Sequence, residues 1–152
     1  MKKNVQSWLL KALDDPIVKI LLMNSHLTKI QLETLLIDIL SENMAGKPLT
    51  NEKKAHFRIM RQKISRGSFN RSLRQAKGNV IKAMYTMILL GYVGLFDNTT
   101  FDPYIEIANK LDKYMKAYIN KRQEGIETPE YLKGIEAMQE KLITSLEELS
   151  NS

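Results

Sequence analysis

Apolar residues recur at helical spacing through most of the chain, and residues suited to helix caps mark where the runs begin. Val5, Trp8, Leu9, Ala12 and Leu13 share one side of a helix over residues 4–13, which predicts a helix packed on a core. Asp15-Pro16 then reads as an N-cap with proline in the first turn of a second helix reaching about Asn24. Thr28-Lys-Ile-Gln31 has the form of a capping box, and Ile30, Leu32, Leu35, Leu36, Ile39 and Leu40 predict a well-buried third helix ending near Asn43. Gly46 and Pro48 break the pattern. Thr50 is suited to cap a fourth helix, in which Ala55, Phe57, Ile59 and Ile64 are sparse among Lys53, Lys54, Arg58, Arg61 and Lys63, so a wide solvated face is expected.

Gly67 reads as a turn residue and Ser68 as the N-cap of a fifth helix starting at Phe69. At about 100° per residue, Phe69, Leu73, Ala76, Val80, Met84 and Met87 fall on one side of it. Asn70, Arg71, Arg74, Lys77, Gly78 and Lys82 fall broadly around the other. From Tyr85 the chain is apolar on all sides, which predicts a segment enclosed by other helices. Gly91 and Gly94 mark a break, after which residues 92–101 suit either a short β-hairpin in the place of a wing or a plain loop. Asp102-Pro103 restarts a helix carrying Ile105, Ala108, Leu111, Met115, Tyr118 and Ile119, and Thr128-Pro129-Glu130 starts a last one carrying Tyr131, Leu132, Ile135, Met138, Leu142, Leu146 and Leu149. The expected fold is mainly α, with at most one small β-hairpin. Residues 1–101 form one domain, and residues 102–152 a C-terminal helical hairpin suited to dimerisation.

Charge sharpens this division. Residues 51–96 hold ten Lys or Arg against one acidic residue, Glu52, or about +9, whereas the whole chain carries +6. Residues 97–152 hold eleven acidic and seven basic residues, a net of −4. The basic segment therefore points to a polyanion, most simply double-stranded DNA, with RNA or an acidic protein as the alternatives. Arginine predominates from Arg58 to Arg74, and its planar donor fork suits phosphates and guanine edges better than the point charge of lysine. The expected contact set is Arg58, Arg61, Lys63, Arg66, Ser68, Asn70, Arg71, Arg74 and Lys77, around the start of the helix that would meet base edges.

Other chemistry finds little support. The chain has no cysteine, which removes disulfides, thiolate catalysis and cysteine-bound zinc and agrees with a cytoplasmic setting. His26 and His56 lie on different predicted elements without ligand spacing to an acidic or histidine partner, so no metal or cofactor is expected. No nucleophile elbow or phosphate-binding glycine loop occurs, and no enzymatic activity is expected. The apolar run at residues 84–96 is too short to span a bilayer.

The segment from Ile64 through Ser-Arg-Gly-Ser-Phe-Asn-Arg-Ser-Leu-Arg-Gln-Ala, leading on to Leu89-Leu-Gly-Tyr and Val93-Gly-Leu, resembles the recognition-helix region of small prokaryotic helix-turn-helix or winged-helix regulators, archaeal ones among them. The resemblance covers roughly residues 28–101, with the helix-turn-helix at about 52–90. It implies a non-catalytic transcriptional regulator acting as a homodimer on DNA. The fifth helix is longer than is usual in such proteins, and no separate sensor domain for an effector is evident.

Overall fold

The computed structural model describes residues 1–59, 64–97, 101–125 and 128–151. Among these there are seven α-helices and no strand: α1 (Lys2–Asp14), α2 (Pro16–Met23), α3 (Lys29–Ala45), α4 (Asn51–Ala55), α5 (Arg66–Tyr92), α6 (Asp102–Glu124) and α7 (Pro129–Ser150), with a 3-10 turn at Leu95–Asp97. The starts follow local chemistry. Asp15 Oδ1 accepts from the Ile17 amide at 2.8 Å and the Val18 amide at 3.2 Å, with Pro16 at the first helical position. Thr28 Oγ1 accepts from the Gln31 amide while Gln31 Oε1 accepts from the Thr28 amide, a complete capping box. Thr50 Oγ1 and Thr128 Oγ1 cap α4 and α7 by accepting from the Lys53 and Tyr131 amides, and Gly46, at φ 63°, ends α3 in the left-handed region that favours glycine.

The chain divides into two compact units, Met1–Leu89 and Leu90–Ser152. In the first, Val5 and Leu9 of α1, Ile37 of α3, Ala55 of α4, Phe57, and Phe69 and Leu73 of α5 form one apolar core. Trp8, expected to face that core, is more than a third exposed. In the second, Ile107 and Tyr114 of α6 and Ile135, Leu142 and Leu146 of α7 are buried. Gly125, also left-handed, closes α6, and the Tyr131 hydroxyl donates to the Ala117 carbonyl at 2.8 Å.

Two sequence expectations are corrected, and a third, open between a hairpin and a loop, is narrowed. The fourth helix stops at Ala55, because the backbone after it turns inward: the Ile59 amide donates to Glu33 Oε1 at 2.6 Å and Arg58 Nη1 to Glu33 Oε2 at 3.3 Å. The fifth helix starts at Arg66 rather than Phe69, capped by Ser65, whose Oγ accepts from the Ser68 amide at 3.2 Å; Gly67 and Ser68 are inside its first turn. The third concerns residues 92–97, where the described chain is a helix end, a turn and a 3-10 turn rather than a strand. Gly94 takes φ 76°, and a Cβ at Gly91 would lie 3.1 Å from the Phe96 ring, so two glycines let the chain fold back tightly. Residues 98–100, the rest of the expected wing, lie outside the described residues.

Core stability rests on a charged pair as well as on apolar packing. Glu33 and Arg58 are 0% and 2% exposed, and the guanidinium stands 5.5 Å from the centroid of the Phe69 ring. Removing one partner of such a pair strands the other charge in a dry site. Glu33→Ala is therefore expected to lower unfolding free energy by about 3–5 kcal/mol, and adding Arg58→Met should recover part of that loss. Chemical denaturation of the two variants checks this; a Glu33→Ala protein as stable as wild type would contradict a buried pair. Leu73→Ala should cost about 2–5 kcal/mol. Val80, expected in the same stripe, is 38% exposed, so Val80→Ala should cost far less in the same measurement.

Candidate nucleic-acid interface

Helix α5 carries the basic residues of interest, and its position is fixed from one flank. Phe69, Leu73 and Ala76 recur at four and three residues and are buried. Beside them three side chains tie the helix to its neighbours. Asn51 Nδ2 donates to Asn70 Oδ1, joining α4 to α5. Lys77 Nζ lies 2.9 Å from Asp38 Oδ2 of α3. Asn79 Nδ2 donates to the His26 carbonyl at 3.0 Å and to Gln31 Oε1 at 3.2 Å, reaching the connection between α2 and α3.

The cations of the basic segment consequently separate into two groups. Arg58, expected at the interface, is inside the core, bonded to Glu33 and Thr34. Lys54 is also buried, with Nζ at 2.6 Å from Asp38 Oδ1 and 2.5 Å from Glu42 Oε1. Arg66, Arg71 and Arg74 are exposed and make no ion pair with another described residue. A hollow of about 360 Å³ lined by Leu49, Thr50, Asn51, Glu52 and Arg66 brings the segment's one carboxylate near Arg66, leaving Arg71 and Arg74 the less compensated of the three. Ser68 and Asn70 are half-buried, Asn70 being held at the junction with α4. Arg61 and Lys63 lie outside the described residues. Lys82, absent from the expected contact set, is exposed on the same outer flank as Arg71, where the helical projection had already put it.

Comparison with family models, curated proteins and solved structures gives no match for this chain. The reading of the site therefore rests on its own chemistry.

Among the described residues no group of acidic or histidine side chains could hold a metal ion, and no helix is long and apolar enough to cross a membrane. What α5 offers is a firmly backed helix with guanidinium groups turned to solvent. Guanidinium donors at this density suit bidentate contact with anionic oxygens.

Titration of the lysine network behind α5 follows from its geometry. Burial opposes ionisation of Asp38, but hydrogen bonds and charge from Lys54 and Lys77 outweigh it and hold the carboxyl below its usual 3.8. The Lys54 hydrogen bond, with help from the Leu49 amide, holds Glu42 below its usual 4.5. Burial pulls Lys54 down, yet Asp38 and Glu42 raise it above 10.5. Lowered carboxyls contribute stability present above their usual values and lost as pH falls through the folded ones; the raised lysine contributes stability present below 10.5 and lost above it. Stability from this network is thus full between pH 4.5 and 10.5 and falls on both sides. Urea titrations across pH should show Asp38→Asn to have a flatter acid limb than wild type, and parallel acid limbs would count against the network.

Proposed function

We propose that the chain is a DNA-binding protein, of the kind that regulates transcription, and that it meets double-stranded DNA through the outer flank of α5. The observation that carries this reading is the partition of charge. Residues 66–82 contain five basic and no acidic residues, only Lys77 among them is ion-paired to a described residue, and the inner flank of the helix is fixed by Phe69, Leu73, Asn70 and Asn79. A solvated lysine surface made of i,i+4 pairs would offset its own charge, as Lys110 with Glu106 and Lys116 with Asp112 do on α6. The first half of α5 has no such pairs.

In this reading α4 and α5 serve as the two helices of a helix-turn-helix, with Arg66, Arg71 and Arg74 on phosphates or base edges near the start of the second. Arg58 supports the surface from inside instead of touching DNA. Neither catalysis nor a cofactor is part of the proposal.

Fluorescence anisotropy with duplex DNA over a range of salt tests it. Each of Arg71→Ala and Arg74→Ala should weaken binding and reduce the slope of log affinity against log salt by about 0.9, the loss of one phosphate contact. Both side chains are exposed, so unfolding midpoints should hardly move. If the double variant kept wild-type affinity and slope, α5 would not be the DNA-facing element.

A further inference from the structure

The second half of α5 differs from the first. Every residue from Val80 to Leu89 is exposed, although seven of these ten are large and apolar: Val80, Ile81, Met84, Tyr85, Met87, Ile88 and Leu89. The sequence predicts enclosure of this segment by other helices, and no other helix of the unit Met1–Leu89 encloses it. Ile81, Met84, Tyr85 and Ile88 recur at three, one and three residues, the spacing of a stripe that packs along another helix. Tyr85 is 69% and Ile88 66% exposed, against 0% for Phe69 on the same helix.

We infer that this stripe pairs with the same stripe of a second copy of the chain, antiparallel and about a two-fold axis. The area argues for an interface. At about 150 Å² for a large side chain, the four residues of the stripe expose on the order of 370 Å², and Val80, Met87 and Leu89 flanking it bring the apolar surface to roughly 600 Å². That is at the upper end of what a monomer leaves in one patch and near the roughly 800 Å² each partner contributes to a standard interface. Charge selects both partner and direction. Lys82 is the one charged residue in residues 80–89; at about 100° per residue it falls beside the stripe rather than on it, and none occurs in residues 83–96, so the stripe itself brings no like charge into the contact. The first half of α5 bears Arg66, Arg71, Arg74, Lys77 and Lys82; a parallel pair would lay these beside their equivalents, whereas an antiparallel pair carries them to opposite ends.

Pairing in this sense deepens the DNA-binding reading, on which its functional value rests. Arg74 is eleven residues before Tyr85, and at about 1.5 Å per residue an axis opposite Tyr85 separates the two Arg74 positions by roughly 33 Å. Successive major grooves on one face of DNA are about 34 Å apart.

Sedimentation of the full chain without DNA, at micromolar concentration, tests the pairing apart from the arginines. Wild type is expected at twice 17.5 kDa, and Tyr85→Glu with Ile88→Glu at the monomer mass with an unchanged circular dichroism spectrum. A monomeric wild type would overturn the inference, including one that binds anionic lipid vesicles or another protein through this stripe. So would a dimer that survives both substitutions, since the contact would then lie elsewhere. The absence of native cysteine allows a test of direction. Tyr85→Cys should form an intermolecular disulfide readily and Arg74→Cys should not; equal cross-linking of both would mean parallel helices and refute the antiparallel axis. Arg71→Ala with Arg74→Ala should remain dimeric, so a failure of DNA binding and a failure of pairing are read separately.

Discussion

The Glu33–Arg58 pair holds together three pieces of chain that are distant in sequence. Glu33 belongs to α3, Arg58 to the irregular stretch after α4, and the guanidinium faces the ring of Phe69 in α5. Glu33 also receives the Ile59 amide, and Arg58 also reaches Thr34. One carboxylate therefore ends α4, turns the backbone inward and sets the floor on which α5 stands. An ion pair buried this deeply gains little net free energy over apolar residues of the same volume, but its geometry admits few alternatives. Its role in this fold is placement: the direction in which Arg71 and Arg74 point depends on where Phe69 rests.

Much of the architecture is legible in the sequence because caps act locally. Asp15-Pro16, Thr28 with Gln31, Thr50, and Thr128-Pro129 each start a helix through bonds spanning two or three residues, and Gly46 and Gly125 end helices by conformations that other residues adopt at a cost. The core positions Val5, Leu9, Phe69, Leu73 and Ala76 follow from helical periodicity alone. Arg58 and Lys54 could not be placed in this way. Their partners lie 25 and 12 or 16 residues away, and a periodic pattern scores an arginine as solvated whatever faces it. The same blindness made Val80 and Met84 look like core: they continue the stripe of Phe69 and Leu73 past the point where another helix covers it.

Formal charge and presented charge are therefore different quantities in this chain. The basic segment counts ten cations, yet Lys54 and Arg58 neutralise carboxylates inside and Lys77 shares Asp38. The count loses those three; of the seven that remain, Arg66, Arg71, Arg74 and Lys82 lie along one exposed stretch of helix. Interior pairs are screened by salt far less than exposed ones, so ionic strength acts chiefly on the outer set.

Helix α5 continues sixteen residues beyond Ala76, its last buried position. Over that length the backbone bonds have little tertiary packing behind them, and Val80, Ile81, Thr86, Ile88 and Gly91 are modest or poor helix formers. A helical stretch of this size is marginal in water unless something packs on it. Amide protons along a single continuous helix would consequently exchange by two routes: those near Leu73 only when the core opens as a whole, those near Ile88 through fraying that leaves the core intact.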